Sequence, residues 1–92
     1  KTILITGASA GIGAATAVAA AEAGYDVAIG YQSNQDGAEL TASKVRALGR
    51  KAVTIQGDVA KPADVENMFE RFDEEFDELG VLVNNAGIVE DS

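Results

Sequence analysis

Residues 6–13 read Thr6-Gly7-Ala8-Ser9-Ala10-Gly11-Ile12-Gly13, directly after the apolar run Ile3-Leu4-Ile5 and directly before the alanine-rich run Ala14 to Ala23. That order predicts a strand, a tight glycine turn and a helix beginning at about Ile12. Glycines spaced four and two apart remove side chains where the backbone must turn sharply, and let a ligand lie against the peptide plane. A helix starting there aims its free N–H groups and the positive end of its dipole at that ligand. Phosphate is the group that such a place suits. The alternative is that Gly7, Gly11 and Gly13 only punctuate a turn.

Composition narrows the partners. With 92 residues, 47 % of them hydrophobic, the chain supports one small domain with a modest core. A formal charge of -8 argues against nucleic acid or an anionic membrane surface, because both present negative phosphates. A phosphate-binding loop in so acidic a chain must therefore rely on backbone N–H groups. Cysteine and histidine are both absent, which removes disulfides, thiolate chemistry and the commonest metal ligands, and no metal site is expected. No run approaches the length of a membrane span, and the first residues are strand-like rather than those of a signal peptide, so a cytoplasmic location is the default expectation.

The chain alternates strand-like and helical stretches. Lys1 to Thr6 reads as a strand buried on both faces, since its apolar residues are continuous. The alanine-rich helix is expected to end at Gly24. Tyr25 to Tyr31 makes a second strand, and Gln32-Ser33-Asn34 a polar turn. Asn34 or Asp36 caps a helix reaching about Leu48, with Ala38, Thr41, Val45 and Leu48 recurring at helical spacing; Gly49 closes it. Ala52 to Ile55 is a third strand, followed by Gly57-Asp58-Val59. Pro62 suits the first turn of a helix that carries Val65, Met68, Phe69, Phe72 and Phe76 on one face. Val81-Leu82-Val83 is the fourth strand and leads into Asn84-Asn85-Ala86-Gly87. Four strands joined by three helices, with right-handed crossovers, predict an α/β fold with a parallel sheet.

The spacing Thr-Gly-x-x-x-Gly-Ile-Gly resembles the nucleotide loop of the classical short-chain dehydrogenase/reductase family, and Asn84-Asn85-Ala86-Gly87 matches that family's second signature. The resemblance runs over all 92 residues. It implies a Rossmann-type sheet of order 3-2-1-4, whose switch point brings the glycine loop and the second signature to one crevice. It further implies that Gly7, Ser9, Ala10, Gly11, Ile12 and Gly13 hold the diphosphate of a dinucleotide. Asp58 would accept from the adenine amino group with the Val59 backbone assisting, although an aspartate there can instead cap a turn. Asn85, Ala86 and Gly87 would lie beneath the adenosine ribose, and Asn84 would tie central strands together.

Tyr31 stands at the tip of the second strand, where a carboxylate would hydrogen-bond the ribose 2′-hydroxyl of NAD. No carboxylate is there. Its absence favours NADP over NAD, with Gln32, Ser33 and Asn34 as neutral donors; otherwise those three form an ordinary polar turn. NADP-preferring relatives often carry arginine at the places held here by Ala10 and Gln32. The carboxylates from Glu66 to Glu78, which include Glu70, Asp73, Glu74, Glu75 and Asp77, are expected to form a solvated helix face.

By the same resemblance, catalysis depends on a serine and a Tyr-x-x-x-Lys pair downstream of the second signature. Tyr25 is followed four places later by Ile29 and Tyr31 by Gln35, and Ser92 lies too close to the second signature, so no catalytic residue is assigned. The chain is expected to be the N-terminal, cofactor-binding part of a longer reductase acting on a carbonyl or alcohol. Relatives of that kind are commonly dimers or tetramers. A non-catalytic dinucleotide-binding or redox-sensing module is the rival expectation.

Overall fold

The structure is a computed structural model that describes residues 1–77 and, along the backbone, 81–84. Strands and helices alternate as β1 (Thr2–Thr6), α1 (Gly11–Glu22), β2 (Asp26–Tyr31), α2 (Gln35–Ala47), β3 (Ala52–Gln56), α3 (Pro62–Glu75) and β4 (Val81–Asn84). All strand pairs are parallel, in the order β3-β2-β1-β4. Ile3 sits opposite Val27 on one side and Val81 on the other, so β1, like β2, is an interior strand.

Successive strand residues point to opposite faces, and both faces are covered. Ile3, Ile5, Val27, Ile29 and Tyr31 join Ala17 and Ala21 of α1 and Ala38, Ala42 and Val45 of α2 in one core. Leu4, Ala28 and Ile55 join Met68 and Phe72 of α3, together with Phe76 just beyond it, in the other. The chain thus winds toward β3 with helices on one face, then crosses by α3 on the opposite face to place β4 beside β1. Among the described residues no helix is long and apolar enough to cross a membrane.

Local chemistry accounts for the element ends. The expected Gly24 and Gly49 follow α1 and α2 with φ of 96° and 83°, a left-handed conformation in which a side chain would be strained. Each allows a paired closure: Gly24 N–H donates to Ala21 and Tyr25 N–H to Ala20, as Gly49 N–H does to Arg46 and Arg50 N–H to Val45. Asn34 Oδ1 caps α2 by accepting from Gly37 N–H at 3.0 Å. Pro62 opens α3. Leu48, expected on the same helical spacing as Ala38, Thr41 and Val45, stands at the end of α2 as its C-cap residue and is 43 % exposed.

Alanine dominates α1 because the helix lies close to the sheet. At Gly13 an added Cβ would overlap the Gly7 carbonyl oxygen and sit 2.8 Å from its carbon. The first turn of α1 therefore rests on the backbone of the preceding loop. On the other face Phe72 is fully buried, stacked on Phe76 with ring centroids 4.8 Å apart. Phe72→Ala is expected to destabilise the whole protein by about 3–5 kcal/mol, and Gly13→Ala by roughly 1–3 kcal/mol or more from overpacking. Chemical denaturation checks both; a loss under about 0.5 kcal/mol, the surface-substitution scale, would contradict the packing described.

Candidate functional site: a cleft at the carboxyl ends of the strands

The sheet reaches its carboxyl edge at Thr6, Tyr31 and Gln56, and there a cleft of about 220 Å³ opens. It is lined by Gly7 and Ser9 of the β1–α1 loop, by Tyr31 at the end of β2 and Gln32, Ser33 and Asn34 after it, and by Val59 after β3. These seven all belong to the set expected from sequence. Thr6, Gly30, Gly57 and Met68 complete the described lining. None of these residues carries a charge.

The loop is shaped by its neighbours. Gly7 has φ 67° and Gly11 φ 59°, both left-handed, which lets the chain leave β1, turn back and enter α1 within a few residues. Ala8 N–H donates to the Gly30 carbonyl of β2 at 3.0 Å. Ala10, the residue before α1, is extended at φ -163° and makes no side-chain cap. Among the described residues, the amides of Ser9, Ala10, Gly11 and Ile12 donate to no protein acceptor. A helix N-terminus with that many free donors has room for an anion.

The remaining expected residues are distributed around this cleft. Ala10 and Gly11 line an adjoining groove between α1 and α2, which Ser9 shares with the cleft. Ile12 is 76 % exposed, and Gly13 is buried beneath the loop. Asp58 borders a second groove with Gln32, Lys61 and Asp64. Its Oδ1 accepts from Ala60 N–H at 2.9 Å, capping the turn into α3, while its own N–H donates to Asp64 Oδ2 at 2.8 Å. Tyr31 reaches the cleft but is only 7 % exposed, its ring packed in the core beneath α1 and α2. Asn85, Ala86 and Gly87 lie outside the described residues.

Three contributors escaped the sequence reading. Gly30 supplies the carbonyl that holds Ala8, and a Cβ there would sit 3.0 Å from Met68 Cε and 3.2 Å from the Ile5 carbonyl oxygen. Met68, expected only as core, also forms part of the cleft lining. Thr41, read as one position of an apolar stripe, directs its hydroxyl at the loop. A polar residue in an otherwise apolar stripe was the one available signal, since a buried hydroxyl needs a partner.

Comparison with known proteins places this geometry. The sequence profile described as short chain dehydrogenase matches residues 1–92. An L-rhamnose 1-dehydrogenase (NAD(P)(+)) of a Sphingomonas species is 43 % identical over 88 residues, covering 96 % of this chain and 35 % of that protein. A 3-oxoacyl-[acyl-carrier-protein] reductase of Staphylococcus epidermidis is 42 % identical over 92 residues, which is 100 % of this chain and 38 % of the reductase. Among solved structures, a short chain dehydrogenase from Burkholderia cenocepacia in complex with NADP superposes with a TM-score of 0.87 at 45 % identity, covering 91 % of this chain and 34 % of that one. The chain thus spans little more than a third of the length of the relatives it matches. A glycine-rich turn between β1 and α1, a parallel sheet of order β3-β2-β1-β4 and a profile match from end to end have one common explanation: the chain belongs to the short chain dehydrogenase family.

Proposed function

We propose that residues 1–92 form the N-terminal part of a single NAD(P)-binding domain in an oxidoreductase that moves a hydride between nicotinamide and a carbonyl or secondary alcohol. The observation that carries this is the row of amides at Ser9, Ala10, Gly11 and Ile12 that have no acceptor among the described residues. Ser9, Ala10 and Gly11 border the cleft or the groove beside it, and among the described residues a Cβ at Gly11 would meet no atom within 4 Å outside its chain neighbours and its own helix backbone. Open space against free donors suits a diphosphate. The relatives named as dehydrogenases and reductases, and the neighbour solved with NADP, point the same way.

The parts then divide by chemistry. The backbone of Gly7, Ser9, Ala10, Gly11 and Ile12 receives the diphosphate, with Gly13 keeping α1 close enough to aim its N-terminus there. Asp58 accepts from the adenine amino group through the carboxylate oxygen that does not cap the turn, and the Val59 backbone assists. Asn85, Ala86 and Gly87 lie beneath the ribose. When bound, the dinucleotide supplies the hydride chemistry, and the protein positions it.

NADP is proposed as the preferred form. The described cleft lining holds no carboxylate to repel a 2′-phosphate, and the exposed Gln32 and Ser33 follow β2 where such a group would sit. The Asn34 Oδ1 is engaged as the α2 cap, which leaves its Nδ2 as the donor. Titration calorimetry on the whole protein is expected to show NADPH binding more tightly than NADH; the reverse order would overturn the preference. Gly11→Val is expected to weaken either dinucleotide by roughly a hundredfold or more, since the branched side chain fills the space beside the amides. Unchanged affinity in that variant would place the diphosphate elsewhere.

A further inference from the structure

The loop amides point where they do only if the loop peptides are held, and much of the hold comes from outside the loop. Thr41, midway along α2 and 33 positions from Ala8, is 3 % exposed. Its Oγ1 lies 3.0 Å from the Ala8 carbonyl and 3.0 Å from the Gly37 carbonyl. One hydroxyl proton must serve one of them at a time. The Gly37 carbonyl sits four residues before Thr41 in α2, where the helix supplies a backbone N–H. Ala8 is buried, and its carbonyl has no other donor among the described residues. Leaving a buried carbonyl unpaired is the costlier choice, so the proton belongs to Ala8.

A trans peptide sets C=O and N–H in opposite directions. Drawing the Ala8 carbonyl toward α2 therefore turns the Ser9 N–H away from α2. The next peptide is handled by shape: a Cβ on Gly37 would overlap the Ser9 carbonyl oxygen. The bare Gly37 lets that carbonyl seat against α2, which turns the Ala10 N–H away in the same manner. Given the diphosphate site proposed above, we propose that Thr41 and Gly37 are positioning residues that orient the Ser9 and Ala10 amides toward the bound diphosphate, so that α2 is a working part of the anion site without touching the anion.

The test compares adenosine with ADP on the whole protein, because the two ligands differ only in the diphosphate. The wild type is expected to bind ADP more tightly than adenosine. Thr41→Val keeps the shape and removes the hydroxyl; it is expected to weaken ADP roughly tenfold while leaving adenosine within about twofold. Thr41→Ser, which restores the hydroxyl, is expected to recover ADP binding to within about twofold of wild type. Thr41→Val with wild-type ADP affinity, or with equal losses for both ligands, would overturn the positioning role. Should that variant fail to fold, Gly37→Ala gives the second reading: an ADP-selective loss supports the role and an unchanged ADP affinity refutes it. A wild type that binds ADP no better than adenosine would refute the diphosphate site itself, a separate result visible before any substitution.

Discussion

The start of α1 lies backbone against backbone on the loop that leaves β1, at a separation that no Cβ on residue 13 would permit. Because a helix dipole acts over about its first turn, an ångström of lift there would move the positive end away from the loop mouth. The close approach also sets the distance between α1 and the sheet, and small side chains at Ala17 and Ala21 maintain it. Packing and site geometry are at this point the same contact. A helix of this length that is half alanine needs tertiary burial to persist, and its small side chains obtain it only at this short range.

From that contact the loop acquires three independent supports. The Gly30 carbonyl of β2 receives Ala8 N–H, Gly13 of α1 backs the Gly7 carbonyl, and in α2 Thr41 bonds the Ala8 carbonyl while the bare Gly37 leaves room for that of Ser9. Carbonyls are directed outward to neighbouring elements, which leaves N–H groups for a ligand. A loop preorganised in this way loses little entropy on binding, so its donors deliver more of their interaction energy. On the proposed reading, a chain of charge -8 would receive its anion through backbone N–H groups rather than through cationic side chains. Glu66, Glu70, Asp73 and Glu74 are exposed on α3, on the far face of the sheet from α1, and the described lining of the cleft is neutral.

Much of this was legible from residue order. Continuous apolar triplets marked buried strands, the Val65 to Phe76 period marked α3, and glycines at 24 and 49 marked helix ends, because each signal arises from interactions within a few residues of itself. The helix reaching about Leu48 was placed to within a residue, but helical spacing did not show that Leu48, at the helix end, is 43 % exposed. Tyr31 was placed correctly at the strand tip, yet its ring is committed to the core, a choice that depends on α1 and α2 rather than on its own neighbours. For Asp58 two uses were open, and the turn cap is the one its surroundings display.

The order of residues was enough to establish the elements, the parallel sheet and the loop around which a ligand would sit, since propensity, capping and periodicity are local properties. It was silent on Thr41, Gly30 and Met68, whose parts in the site come from elements 33, 22 and 60 positions away from Ala8. No local pattern encodes which buried carbonyl a threonine will meet. That partnership exists only once β1, β2, α1 and α2 have been packed together, because a hydrogen bond of about 3 Å is far shorter than any distance that a periodicity in sequence can resolve.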